Sequence, residues 1–256
     1  MTSFHFETVN CPYCLNEEEI AIWDIVHYEE DPDLKDKILL KDLQIYECQN
    51  CNHRYTLEKP FLYIDPEKKI LIYYSPENAE LFNNLDTRDP KTGGLKADLS
   101  EILPKDFAVD LDTYRLRIVT DYNDLIEKIH IFDYQLDDRL IEIIKLATKL
   151  NPPIDYSEVQ KNSNSSVLET DTDTFVSEST SGKADKIISL HFLGIEAEQY
   201  LFQSLNEENV WKQMAIKPDV YKNALNLLSN DLPELSTWNI IDEIAAKIFL
   251  NNFQTL

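Results

Sequence analysis

Four cysteines carry the most chemistry in this chain, and they come as two equally spaced pairs, Cys11-Pro12-Tyr13-Cys14 and Cys48-Gln49-Asn50-Cys51. Cys-Pro-Tyr-Cys is a dithiol redox sequence when its first thiol stands at a helix N-terminus, where the helix dipole lowers the thiol pKa. The same spacing is half of a zinc site, because a C-x-x-C turn points two sulfurs to one side. The residues after Cys14 argue against the redox use. Ile20 to Val26 are mostly β-branched or aromatic and predict a strand, not a helix. Glu17, Glu18 and Glu19 would surround a thiolate with like charge and raise its pKa. A redox pair at Cys11 and Cys14 also leaves Cys48 and Cys51 without a role. One Zn2+ uses all four sulfurs, in a tetrahedron with bonds near ~2.3 Å. Such a closed site offers no position to water or substrate, so its ion is structural.

The neighbours of the cysteines sharpen that expectation. His53 and Arg54 follow Cys51 and could support the metal from behind its ligands, although an exposed turn histidine is the plainer reading. Four thiolates on Zn2+ leave two surplus negative charges, and Arg54, Lys41 and Lys59 are close enough in sequence to offset them. Asn52 suits a left-handed backbone position, whereas Leu15, its counterpart after Cys14, suits it poorly. Tyr13 occupies a turn position that is free to vary. Outside the cysteines, the densest charged cluster is Asp137-Asp138-Arg139, with Glu142 beyond. It could present carboxylates to a basic partner, or it could be a capped helix N-terminus. His130 with Asp133, Asp137 and Asp138 is a second grouping that could in principle hold a metal, with no H-x-x-x-H spacing to support it.

The elements that must position these groups can be read from periodicity. A strand over 20–26 leads to a short helix over 31–43, with Asp31 as its cap and Pro32 in its first turn. Residues 44–48 return as a strand into Cys48. FLYI (61–64) and ILIYY (70–74) form a hairpin around DPEKK. TYRLRIVT (113–120) alternates as a strand, and 121–150 is helical with a break near 133–135. Asn151-Pro152-Pro153 stops the second helix. Residues 157–185 are rich in Ser, Thr and Asp and predict a linker or an exposed strand pair. Strands over 187–202 and helices over 218–228 and 236–253 complete the chain, the last with Ile241, Ile244, Ile248 and Phe249 on one face. The expected fold is α+β. A zinc-ribbon-like element over 1–75 joins a mixed sheet with packed helices over 76–256.

The two cysteine pairs followed by LYID at 62–65 resemble the CpXC family of bacterial and archaeal proteins. The likeness continues in DLIEKIHIFDYQLDDRLIEIIK at 124–145 and extends into TWNIIDEIAAKIFL near the C-terminus. It implies an N-terminal zinc-ribbon-like element on a globular protein, and it brings no activity or catalytic residue. The family's second pair often reads Cys-Pro-x-Cys-Gly, where this chain has Gln49 and Asn52.

Composition bounds the function. Four glycines among 256 residues argue against a Rossmann or P-loop enzyme, and neither phosphate-loop motif is present. A net charge of −23 repels nucleic-acid backbones and permits a basic protein partner. Neither a signal peptide nor a membrane span is evident, and the paired cysteines fit a reducing compartment, so a cytoplasmic protein is expected. The expectation is a zinc-stabilised, non-catalytic protein-interaction module of inhibitor, immunity or regulatory type. A dithiol oxidoreductase or other enzyme is the alternative, and a nucleic-acid-associated zinc ribbon the third. Partner and oligomeric state are not encoded in any motif.

Overall fold

The computed structural model describes residues 1–96, 111–152, 186–233, 235 and 238–253. The Ser/Thr/Asp-rich stretch over 157–185 lies outside them. The order of elements is β1 (Ser3–Asn10), β2 (Glu17–His27), α1 (Pro32–Leu39), β3 (Ile45–Glu47), β4 (Arg54–Thr56), β5 (Phe61–Asp65) and β6 (Ile70–Tyr74). Then follow α2 (Ala79–Asn83), β7 (Arg115–Val119), α3 (Tyr122–Asp133) and α4 (Asp138–Leu150). The C-terminal third holds β8 (Ile187–Glu196), β9 (Gln199–Asn206), β10 (Trp211–Ile216), α5 (Pro218–Leu228) and α6 (Glu243–Phe253). The fold is α+β.

A five-stranded sheet in the order β1-β2-β5-β6-β7 is the frame. It is mixed: β2 pairs parallel with β5 and β6 parallel with β7, while β1/β2 and β5/β6 are antiparallel. All residues of β5 and β6 are buried, so both faces of the sheet centre are covered. The period of two sorts their side chains. Phe61, Tyr63, Ile70, Ile72 and Tyr74 face the larger core, shared with α1, α3, α4, α6 and the second sheet. Leu62, Ile64, Leu71 and Tyr73 face a smaller core with Phe82, Leu116, Ile118, Trp238 and Ile240. Each such side chain stabilises the fold by about 1.5–3 kcal/mol through its burial. The second sheet, β10-β9-β8, is antiparallel, and Phe192 and Phe202 pack edge to face at 5.4 Å within the larger core.

Local chemistry sets the helix boundaries. Helix α1 ends at Leu39, short of the expected 43, because Lys41 takes φ 60° and the Asp42 N–H closes back on the Lys37 carbonyl. Pro32 stands in its first turn as expected, but the Asp31 side chain makes no cap bond. The break between α3 and α4 is the same device: Gln135 has φ 56° and the Leu136 N–H reaches the Ile131 carbonyl. Asp121 and Asp137 cap α3 and α4 by accepting from the N–H groups of Asn123 and Arg139.

The last helix begins later than its sequence suggests. Trp238 to Ile240 are extended, and Asn239 bridges to Arg117 and Gly94, exchanging backbone hydrogen bonds with Leu116 and Ile118. Asp242 then starts α6, accepting from the Ala245 N–H and clamping the buried Arg88 at 2.7 and 2.8 Å. The inward face of α6 is Ala245, Ala246 and Phe249, with Ile241 before it, while Ile244 and Ile248 are only half buried.

Candidate metal centre

Each cysteine pair lies in the loop of a β-hairpin. Asn10 pairs with Glu17 at the end of β1/β2, which leaves 11–16 as one loop. Glu47 pairs with Arg54 at the end of β3/β4, which leaves 48–53 as the other. Bond for bond, the two loops are equivalent. The Cys11 N–H donates to the Asn16 carbonyl at 2.9 Å and the Cys48 N–H to the His53 carbonyl at 3.0 Å. The Leu15 N–H closes on Cys11 at 2.9 Å and the Asn52 N–H on Cys48 at 2.8 Å. Both closures need a left-handed residue, supplied by Leu15 at φ 61° and Asn52 at φ 58°. Leu15 therefore holds the position its side chain suits poorly, at a cost of about 1 kcal/mol or more. Its side chain is 76% exposed, so little burial energy offsets that cost.

The tips meet sulfur to sulfur. Cys11 Sγ lies 3.7 Å from Cys51 Sγ and Cys14 Sγ 3.6 Å from Cys48 Sγ, and all four sulfurs fall within 4.8 Å of one another. These separations are far too long for disulfides. They match the edge of a tetrahedron with ~2.3 Å radii, which is about 3.8 Å. Four cysteines so placed can hold a metal ion, and the arrangement is one that zinc accepts. Cys11 and Cys48 are buried, and Cys14 and Cys51 half buried.

A few groups hold one hairpin against the other. Glu18, on β2, accepts from the Gln49 N–H at 2.9 Å and from the Cys48 thiol at 3.1 Å. The Asn50 amide donates to Cys14 Sγ, and with the Asn16 N–H it brings that thiol down to about 6. Burial pushes the Cys48 thiol up, to about 12. The Tyr46 hydroxyl donates to the Ala21 carbonyl. Tyr13 is not an idle turn residue: its ring stacks on His53 across the two tips, centroids 4.5 Å apart.

The neighbours named from sequence fall elsewhere. His53 is exposed, and it serves through its backbone carbonyl and its stacking on Tyr13 rather than through a ring nitrogen on the cluster. Arg54 points to Asp42 at 3.8 Å, Lys59 pairs with Glu7, and Lys41 bonds Asn123. The three cations expected to offset the thiolate charge are thus engaged with other groups. Asp137, Asp138 and Arg139 do not form one surface cluster. Asp137 caps α4 and chelates Arg139, whose guanidinium also reaches the Pro233 carbonyl. Asp138 is fully buried, gripping Arg117 through two bonds of 2.7 and 2.9 Å with Lys128 at 3.4 Å. The grouping around His130 is not assembled either, because Asp133 pairs with Lys35 and Lys68.

The structure gathers a set that sequence reading missed. His191, from β8, sits beside Asp124 and Glu127 of α3, their ligand atoms within 4.8 Å of one another. Glu127, Lys128, Glu142 and Lys145 continue inward as a buried ionic network. The one signal available was spacing: Asp124, Glu127 and Lys128 recur at i, i+3 and i+4, on one helix face. Nothing in the sequence marks His191 as their neighbour.

No curated protein and no solved structure matches the chain. No helix among the described residues is long and apolar enough to cross a membrane. The profile of the CpXC protein family matches residues 9–145, which spans both cysteine loops, the hairpin β5/β6, helix α3 and the first part of α4. That match covers more than half of the sequence, and the chain belongs to the CpXC family.

Proposed function

We propose that the four cysteines hold one structural Zn2+ and that the clamped hairpins form part of a non-catalytic protein-interaction module. The observation that carries the metal reading is the closed array of four sulfurs at tetrahedral spacing, with each pair set in an equivalent hairpin loop. Four soft ligands complete the coordination of Zn2+ and leave no place for substrate. A redox pair would need a helix after Cys14, and this chain turns into β2 instead.

The interaction reading is supported by what surrounds the knuckles. Among the described residues strand β1 is an edge strand, and it carries Phe4 and Phe6, 49% and 62% exposed, while Tyr13 and Leu15 are exposed at the first tip beyond its other end. Exposed aromatic side chains on an unpaired edge favour a macromolecular partner. The net charge of −23 favours a basic protein, of the kind met by inhibitor, immunity or regulatory proteins, and disfavours nucleic acid. Reduced thiolates fit a cytoplasmic setting.

Metal analysis of the purified full chain tests the first part, with about one zinc per chain expected, released by thiol modification or strong chelation. Protein that carries no zinc and cycles a Cys11–Cys14 disulfide would instead support the oxidoreductase. Cross-linking in the native host, compared between the wild type and a Phe4→Ser/Phe6→Ser variant, tests the second. A cross-linked protein present only with the wild type supports an interface at β1; identical products from both overturn it.

A further inference from the structure

Helix α3 and strand β8 come together over a cavity of about 200 Å3. Asp124 and His191 line it, with Thr120, Ser189, Lys145 and Lys149 around them. The His191 Nδ1 atom is buried and has no hydrogen-bond partner among the described residues. It faces two carboxylates, Glu127 Oε2 at 3.5 Å and Asp124 Oδ1 at 3.7 Å. Both distances exceed a hydrogen bond of about 2.7–3.2 Å. They lie close to the ligand–ligand edges of about 2.9–3.6 Å set by a cation with bonds of about 2.0–2.2 Å.

The groups behind these three are arranged as a metal's ligands require. The other ring nitrogen, His191 Nε2, is bonded to Ser189 Oγ at 2.8 Å, which fixes the ring and can leave Nδ1 as the free acceptor. Glu127 is held on its far oxygen by the Phe192 N–H at 2.7 Å, while Lys145 donates to Oε2 at 2.8 Å. A carboxylate oxygen has two lone pairs, so Oε2 can take both the lysine and a metal. The charge count agrees. The network holds four carboxylates, Asp124, Glu127, Asp138 and Glu142, against the three cations Arg117, Lys128 and Lys145. One negative charge is left over at the end where His191 stands.

We propose that Asp124, Glu127 and His191 form a second metal centre that takes one first-row divalent cation. One imidazole and two carboxylates suit Mn2+, Fe2+, Co2+ or Zn2+. This centre differs in kind from the thiolate cluster. Three protein ligands leave positions open toward the cavity, where water or an oxygen of a small ligand completes the coordination. Ser189 is a positioning residue that acts through His191.

The test uses the full chain with its thiolate cluster already loaded with zinc, so that its outcome is independent of the reading above. Mn2+ is titrated in and free Mn2+ followed by electron paramagnetic resonance, with added Zn2+ as a second probe read by metal analysis. One further ion per chain is expected. The Trp211 indole signal should broaden early in nitrogen-15 spectra with Mn2+, because its ring centre lies 6.2 Å from that of His191. Asp124→Asn, a near-isosteric change at a half-exposed side chain, and His191→Ala should each abolish the extra ion. Ser189→Ala should weaken it by about 10-fold. Thermal melts identify any variant that fails to fold, and Asp124→Asn then decides alone. The proposal is overturned if neither ion binds beyond the thiolate cluster, or if folded Asp124→Asn binds as the wild type does.

Discussion

The paired knuckles and the ionic network between β7, α3, α4 and β8 both concentrate charged groups, and they hold them by opposite means. The knuckles are local. Each is a six-residue loop between paired strands, closed by its own backbone bonds, and few side chains join one to the other. The network is mostly long-range: Arg117 comes from β7, Glu127 and Lys128 from α3, Asp138, Glu142 and Lys145 from α4 and His191 from β8, and all are buried or nearly so. A knuckle can form by itself but does little until a partner and an ion join it. Apart from Glu142 and Lys145, which meet on one helix turn, the pairs of the network need the fold before they exist. Local geometry therefore supplies the ligand set at the first place, and tertiary packing supplies the neutralisation at the second.

The comparison breaks most visibly at the metal. Cys48→Ser should take the zinc content from about one ion per chain to near none, and should open 11–16 and 48–53 to protease, since the remaining links between the tips are few. A Cys48→Ser protein that keeps its zinc and its protease resistance would show that the hairpins dock without the full ligand set.

At the network, Asp138→Ala leaves Arg117 buried without its main acceptor and takes from Lys128 a carboxylate at 3.4 Å, and it should cost about 3–5 kcal/mol in urea unfolding, with zinc content unchanged. A loss below about 1 kcal/mol would mean that water reaches Arg117 and Lys128. The pH dependence follows from the same group. Burial would push the Asp138 carboxyl up, but the Arg117 and Lys128 charges outweigh it and hold the carboxyl well below the usual carboxylate range. Its stabilisation is then fully present above the unfolded value of about 4 and is lost as the pH falls below it. The stability gap between the wild type and Asp138→Asn should stay constant from pH 7 down to about 5 and narrow in stronger acid. A gap that narrows on the alkaline side would contradict the assignment.

The smallest effects test whether the two knuckles are equivalent. Leu15→Asn should raise stability by about 0.5–1 kcal/mol, because Asn tolerates the left-handed position better and the leucine buries little. Asn52→Ala should lower it by a similar amount. Changes of the same sign in both variants would separate the two loops.

Much of the first region was legible in the chain. The spacing of Cys11, Cys14, Cys48 and Cys51, the strand after Cys14, and the left-handed place of Asn52 all follow from local rules. The hairpin of β5 and β6 and the break at 133–135 were legible for the same reason, since turn chemistry and apolar period act within a few residues. Leu15 shows the limit of that reading. Its propensity opposed the conformation, and loop closure with an exposed side chain prevailed. Arg54, Lys41 and Lys59 lie near the cysteines in sequence, yet each found an acceptor elsewhere, because sequence distance says little about where a long side chain ends. The capped helix start offered for Asp137, Asp138 and Arg139 is what forms, with Asp137 as the cap and Arg139 paired to it. The burial of Asp138 was not legible, because a helix start turns successive residues about 100° apart and only packing decides which of them faces the core.

By itself, then, the sequence determined the local devices: two C-x-x-C turns of matching length, the cap of α4 and the break before it, and the hairpin of β5 and β6. Only the tertiary structure decided that the two turns meet at tetrahedral spacing, that Tyr13 stacks on His53, and that His191 stands over Asp124 and Glu127. Those contacts join residues 34 to 67 positions apart. Chain connectivity does not specify pairs at such separations; they exist because burying both faces of one sheet leaves few ways to pack α3, α4 and β8 against it.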